Sequence, residues 1–418
     1  MPALCAALAL VPFIVCACEF RRLFWFGDEW DQLNELHRSG LWPYLTSTFA
    51  ENFVPLFKTL WLSLLLLGHG SYFAVLMAVW LTHAVNVLLL GLVLRRVDLQ
   101  WPGMLIALLL AGLPASNIET LGWTIQWSAV LALSFHLVAI LNFLTFVERP
   151  GPPWSAVWLL ALASLAGSLS FSRGVLSGCA IAFTCAIPLG IRSLSPRARA
   201  LGATAALLPS LAVAIFIANA TQGNHRHLMQ PGVAALSLQF ATHFFLLNPL
   251  QAIWSIAPSS SLLVVLGASK LAIYGIALAR ARGTTRWLIW LSLVLDAANA
   301  VLVGIGRYHT GLAAAVGSRY QYVPLFCLAP AAGVTVDWLA SAVPRLARLT
   351  RGAALAGAAT LAWSIASPWP EQMRSWSGWR GVEMRRIVQT RRDATLLPFV
   401  GTVSTAEANA LRDEYHLH

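Results

Sequence analysis

Eleven apolar runs, each 15 to 24 residues long, recur along a chain of 418 residues. They constrain the fold more than any other feature. A hydrocarbon core about 30 Å thick takes about 20 residues of helix to cross. Only helices or closed barrels satisfy their backbone groups there. The runs near 2–19, 71–94, 101–115, 125–147, 154–170, 174–191, 200–219, 261–280, 286–304, 320–341 and 352–367 are continuous rather than alternating, which selects helices over barrel strands. Composition agrees. Charged residues make up 11% of the chain, against about 25% in soluble domains, and 58% is hydrophobic, which also excludes disorder. The expected fold is all-α: a polytopic transmembrane bundle of about eleven spans over 1–367, followed by a tail, 368–418.

The net charge of +11 comes from 28 Lys+Arg against 17 Asp+Glu. In a soluble protein this excess would point to nucleic acid. In a polytopic chain it reports topology, because cytoplasmic loops concentrate Lys and Arg, and no nucleic-acid partner is expected. Twelve arginines fall in five short connections: Arg95, Arg96, Arg149, Arg192, Arg197, Arg199, Arg280, Arg282, Arg286, Arg345, Arg348 and Arg351. All five share one face only if 231–258 does not cross. Pro231, Pro249 and Pro258 fit a broken, re-entrant or interfacial path for that segment. Arg21 and Arg22 are the one local signal against this assignment. The outer face then receives a long first loop of short helices, 20–70, and the tail. The tail is mixed in charge, with seven Arg against six Asp+Glu, and reads as an amphipathic cap on the membrane surface. The six cysteines show no zinc spacing or disulfide framework.

The first outer loop reads Phe24-Trp25-Phe26-Gly27-Asp28-Glu29-Trp30-Asp31. Two readings stand. Asp28 can start a helix with acids in its favourable first turn. Alternatively, a carboxylate at a semi-buried membrane edge has its pKa raised and can act as a general base. Further on come Glu51-Asn52-Phe53-Val54-Pro55-Leu56-Phe57-Lys58 and a span carrying His83 and Asn86, three apart on one face. That pair is either cavity-lining or an interhelical clamp. Late in the chain stands Gly317-Ser318-Arg319-Tyr320-Gln321-Tyr322-Val323-Pro324. Lys270 and Asp296 each lie about ten residues into neighbouring spans, at a depth where they can pair.

An acidic pair before Trp, then Glu-Asn-x-x-Pro-Leu, then a span with His-x-x-Asn, and later Arg-Tyr-x-Tyr-x-Pro, resemble the GT-C glycosyltransferases. The resemblance is nearest to the protein O-mannosyltransferase-like and aminoarabinose-transferase-like branch, and it covers roughly residues 1–100 and 300–340. It implies a GT-C-like fold and a sugar donor on a polyprenyl phosphate. It also implies an acceptor deprotonated by the first-loop acid, here Asp28 with Glu29 as substitute. The tail is short for the large periplasmic domain of oligosaccharyltransferases, so a compact monosaccharide transferase is expected. Lipid phosphate needs cations as its charge develops. The outer-face candidates are Arg319, Arg307, Arg173, His309 and Lys58, with Tyr320 beside them, while Glu51, Asn52, His83 and Asn86 are candidates for the acceptor cavity. Attack opposite the leaving phosphate implies inversion at the sugar carbon.

No metal is required in this reading. Mg or Mn is the alternative, with Asp28, Glu29, Glu51 and Glu119 as oxygen ligands. The expected partners are a polyprenyl-phosphate sugar, the bilayer, and a lipid, glycan or protein acceptor. The expected location is a bacterial-type inner membrane, with the site facing the periplasm or exterior. Two competing functions remain open at this point. One is a transporter or flippase using Lys270 and Asp296, although no repeated halves are visible. The other is a lipid-linked glycan polymerase or ligase.

Overall fold

The computed structural model describes residues 2–49, 52–148, 154–187, 195–219, 224–257, 260–342, 347–398, 400 and 402–418. Glu51, Pro258, Arg149, Arg192 and Arg345 lie outside the described residues. The described residues are mostly helical, with a two-stranded antiparallel pair, Thr48–Phe49 with Asn52–Phe53, in the first loop and an isolated bridge between Leu396 and Ser404. The main helices, in chain order, are α1 (Pro2–Val15), α2 (Asp28–Ser39), α3 (Pro55–Leu67), α4 (Tyr72–Arg96), α5 (Trp101–Gly112) and α6 (Trp127–Glu148). Then follow α7 (Trp154–Ser170), α8 (Val175–Ala186), α9 (Pro196–Ala218), α10 (Val233–Leu247), α11 (Leu262–Arg280) and α12 (Gly283–Arg307). The last are α13 (Tyr322–Ala342), α14 (Ala347–Ala366), α15 (Trp369–Ser377), α16 (Met384–Thr390) and α17 (Thr405–Glu414).

Each of the eleven apolar runs contains a helix among its described residues. Among the described residues, six helices are long and apolar enough to cross a membrane: α4, α6 with its leading turn, α9, α11, α12 with its trailing turn, and α13. A seventh span arises if α5 and the bent continuation to Gly122 count as one. The runs in α1, α7 and α8 are shorter apolar helices of 10–17 residues. Helix length accounts for α1, α7 and α8, since a short helix in a bundle can be covered by its neighbours without reaching both surfaces, whereas α14 has 20 residues and is not among the helices both long and apolar enough to cross. The chain is a polytopic integral membrane protein.

Packing runs from helix to helix: α1 on α4, α4 on α6, α6 on α7, α7 and α8 on α9, α8 on α12, and α12 on both α10 and α13. Polar side chains fix specific helix ends. Asp337 in α13 accepts from the backbone N–H groups of Gln100 (2.7 Å) and Gly103 (2.8 Å), capping the start of α5 from another helix. Arg96 and Glu148 join the ends of α4 and α6 at 2.7 Å.

The segment 231–258 is broken as its prolines suggest. α10 ends at Asn248, a cis peptide joins Asn248 to Pro249, and one short helix, Leu250–Ile253, follows. Lys270 of α11 holds this break. Its ammonium pairs with Asp296 of α12 at 2.6 Å and donates to the carbonyls of Phe245 and Asn248, both at 2.5 Å. A cation is thus placed on the last carbonyls of α10, where the helix dipole is negative. Both charges are fully buried.

The tail packs on the first loop. Arg38 of α2 pairs with Glu407 of α17 at 2.5 Å, and His37 with Glu414 at 2.6 Å. Trp369 is buried and donates to the Leu113 carbonyl at 2.8 Å. Ser404 and Glu407 form a reciprocal capping box at the start of α17.

Candidate functional site

A cavity of about 670 Å³ opens where the first loop meets the ends of several spans. Its polar lining is Asp28 and Asp31 of α2, Asn52, Gln126, Ser128, Ser172, Arg173, Arg307, Arg319 and Tyr320. Its apolar lining includes Phe57, Phe171 and the C-terminal ends of α9 (Ala214, Ile217, Ala218) and α12 (Leu302, Val303, Ile305). Helix α8 packs on both of those spans.

The carboxylate end is built by the aromatic loop 23–27. The indole of Trp30 donates to the Trp25 carbonyl at 3.1 Å, Trp25 to Gly70 at 3.2 Å, and Trp123 to Phe26 at 3.2 Å. These bonds set where α2 begins, and hence where Asp28 points. Asp28 is half-buried. Burial raises its pKa first, neighbouring Asp31 and Glu119 raise it further, and Arg319 and Arg307 pull it down. Asp31 is also raised by burial and accepts a hydrogen bond from the Thr402 hydroxyl of the tail. Asp31 follows Asp28 by three residues, so both share one face of α2, a signal the sequence itself carries.

The cationic end is assembled from three separate places. Arg307 closes the last turn of α12. Arg319 lies in the turn before α13, its guanidinium 5.0 Å from the Tyr320 ring centroid. Arg173 lies in the turn Ser172–Gly174 between α7 and α8, its guanidinium 5.6 Å from the same ring centroid. This turn is pressed against α7, because a Cβ on Gly174 would stand 1.9 Å from the Gly167 carbonyl oxygen. Arg173 Nη1 and the Tyr320 hydroxyl are buried without a hydrogen-bond partner among the described residues. Unpaired buried donors are costly, and an anionic oxygen in the cavity would satisfy them. Ser172 donates to Asn52 at 2.5 Å, tying the strand pair to this turn.

Several expected site residues stand elsewhere. Glu29, adjacent to Asp28, is fully enclosed. It accepts from the Phe26 N–H (2.8 Å), the Thr124 N–H (3.0 Å) and the Thr124 hydroxyl. Burial pushes its pKa up to about 8. It fastens the loop and does not face the cavity. Lys58 is buried against the Tyr44 carbonyl (2.7 Å), the Ser47 hydroxyl (2.8 Å) and Glu35 (3.4 Å), so its charge is consumed within the first loop. His309 is exposed beside Tyr308 and outside the cavity lining.

His83 and Asn86 form the clamp rather than the cavity wall. His83 Nδ1 lies 2.8 Å from the Tyr322 hydroxyl, and Asn86 Nδ2 donates to that hydroxyl (3.1 Å) and to the Val130 carbonyl (2.9 Å). The Arg-Tyr-x-Tyr stretch is thereby divided: Arg319 and Tyr320 line the cavity, while Tyr322 locks α13 to α4. Gln126 and Ser128 are cavity residues that no local motif marks.

Of the carboxylates considered as metal ligands, Asp28 reaches the cavity, and Glu51 lies outside the described residues. Glu29 is enclosed, and Glu119 is bonded to the Ser318 hydroxyl at 2.9 Å. Among the described residues no group of three His, Cys, Asp or Glu side chains converges closely enough to hold a metal ion.

No protein-family model matches the chain, and no curated protein matches its sequence. Its fold is similar to that of the oligosaccharyltransferase of Archaeoglobus fulgidus in the apo form. The TM-score is 0.50 and the identity 14%, over 100% of this chain and 59% of the archaeal one. The chain therefore spans less than two-thirds of that protein's length. The A. fulgidus oligosaccharyltransferase in complex with an inhibitory peptide and a dolichol-phosphate aligns at 13% identity and a TM-score of 0.47, over 98% of this chain and 59% of that one. At 14% identity the likeness to the apo structure is one of fold alone.

Proposed function

We propose that the chain is a membrane glycosyltransferase that moves a sugar from a polyprenyl-phosphate donor to an acceptor at the outer face of the membrane. The observation that carries this reading is one cavity combining a half-buried carboxylate, Asp28, with three arginines and an apolar wall from α9 and α12. The apolar wall suits an isoprenoid chain. Arg173, Arg307 and Arg319 suit its phosphate, because planar guanidinium groups pair with two oxygens at once. Support comes also from the fold, which is similar to that of an archaeal oligosaccharyltransferase.

In the proposed reaction Asp28 accepts the proton of the acceptor hydroxyl. The acceptor oxygen forms a bond to the anomeric carbon as the carbon–oxygen bond to phosphate breaks. The electron pair leaves with the polyprenyl phosphate, whose growing charge is met by the arginines and by the Tyr320 hydroxyl. Asp28 then returns its proton to water. Attack from the side opposite the phosphate inverts the sugar carbon. A carboxylate raised above its ordinary range is the stronger base for this work at neutral pH.

The finer placement is in the O-mannosyltransferase-like or aminoarabinose-transferase-like branch. It rests on the motifs in residues 1–100 and 300–340. A bacterial-type inner membrane with the site outside, about eleven spans, and a metal-free step belong to the same proposal. The ion pair proposed for a carrier, Lys270 with Asp296, is occupied in holding α10 to α11 and α12, which favours a clamp over a relay.

The test is sugar transfer from a lipid-linked donor in reconstituted membranes. Asp28→Asn is expected to lower turnover by about 10²–10⁴-fold, and Arg319→Ala by about 10²–10³-fold. Wild-type rates in both variants would remove these residues from the reaction.

A further inference from the structure

Beside the cavity-lining Arg319 stands an acid, Glu119, that also meets Arg380. Glu119 Oε2 accepts from the Ser318 hydroxyl at 2.9 Å and from the Arg319 backbone N–H at 3.4 Å. Its other oxygen lies 3.6 Å from Nη1 of Arg380, a residue of the C-terminal segment. Arg380 is held from several sides. Its guanidinium lies 3.3 Å from the Trp376 ring centroid and 4.4 Å from that of Phe26. The π-helical turn that carries it, Gly378–Glu383, is seated on the first loop at Gly381, where a Cβ would stand 2.0 Å from the Arg22 carbonyl oxygen. The turn is further tied down by Ser377, which donates to Glu19 at 2.5 Å.

The charges of this group reach one another. Arg319 acts on Arg380, and Glu119 and Arg319 act in opposite directions on Asp28. A carboxylate bonded to the backbone of Arg319 and lacking another cation would compete with any phosphate for the Arg319 guanidinium, since charge-assisted pairs are the strong ones.

We propose that Arg380 is a positioning residue for the cationic end of the cavity: by engaging Glu119 it leaves the Arg319 guanidinium free for an anionic ligand. The C-terminal segment thereby takes part in binding the donor although none of its described residues lines the cavity. This inference rests on the reading of Arg319 as a phosphate ligand.

The test uses the full chain in detergent with farnesyl phosphate as the probe, measuring affinity by calorimetry and folding by thermal melting. Arg380→Gln is expected to weaken binding about tenfold, the order of one charge-assisted contact. Glu119→Gln alone should bind at least as tightly as wild type. The double variant Glu119→Gln/Arg380→Gln should recover wild-type affinity to within about threefold, since the competing carboxylate is gone and coupled sites are non-additive. A merely structural role for Arg380 would leave the double variant no better than the single. That result, or wild-type affinity in Arg380→Gln, overturns the inference. Should Arg380→Gln fail to fold, Glu119→Gln decides: weaker binding than wild type overturns the inference. Arg319→Ala runs beside them. Wild-type affinity there would overturn the phosphate reading itself, whereas weak binding there with normal binding in Arg380→Gln would overturn only the role of Arg380.

Discussion

Asp28 and Glu29 are adjacent carboxylates with opposite fates, and the difference comes from what each meets at a distance in sequence. Glu29 is closed in by Phe26 and Thr124, while Asp28 faces a cavity with Arg307 and Arg319. The chemistry of the pair was legible in the sequence, but the division of labour was not, because Thr124 lies 95 residues away. Lys58 illustrates the same limit: nothing local announces that Glu35 and Ser47 enclose it.

Two pH effects follow. The Glu29 carboxyl holds its proton in the folded state up to about pH 8, whereas it releases it at about pH 4.3 when unfolded. Its contribution to stability is therefore full below the unfolded pKa and lost as pH rises through about 8. Thermal melts of wild type should decline across that window, and Glu29→Gln should flatten this component of the decline; an identical slope in the variant would refute the protonated state. The Asp28 carboxyl is also raised, but as a base it must be ionised. Turnover should fall on acidification, with a midpoint above the ordinary carboxylate range, as read from a pH–rate profile.

At the level of elements, the apolar runs were readable because membrane helices need length and hydropathy and little else. What sequence could not settle was which runs reach across, since α1, α7 and α8 are short and their surroundings decide how they are covered. The break at Pro249 was readable from proline chemistry, but the lysine that stabilises it was visible only as a candidate ion pair. Lys270→Met would strip Asp296 of its cation and leave the last α10 carbonyls without their donor. A loss of about 3–5 kcal/mol is expected from breaking one side of a buried pair, measured by thermal or denaturant unfolding. The double variant Lys270→Met/Asp296→Leu should regain much of it and keep glycosyl transfer. Loss of transfer in a well-folded double variant would instead favour a carrier.

Across the whole molecule, the first loop, the turn before α8, the end of α12, the turn before α13 and the C-terminal segment converge on one place. Motifs at the two ends of the chain pointed there, through Asp28, Asn52, Arg307, Arg319 and Tyr320. The contributions of Gln126, Ser128 and Arg380 depend on tertiary packing and carry no local signature. On the proposed reading, a lipid-linked donor lies with its phosphate among these arginines and its chain along the ends of α9 and α12. A structure of the full chain with a polyprenyl phosphate bound measures this most directly. The expected result is a phosphate within hydrogen-bonding reach of Arg173, Arg307 and Arg319, facing Asp28, with the isoprenoid against Ala214, Ile217 and Leu302. A phosphate bound away from these arginines, or an isoprenoid seated elsewhere on the bundle, would contradict it.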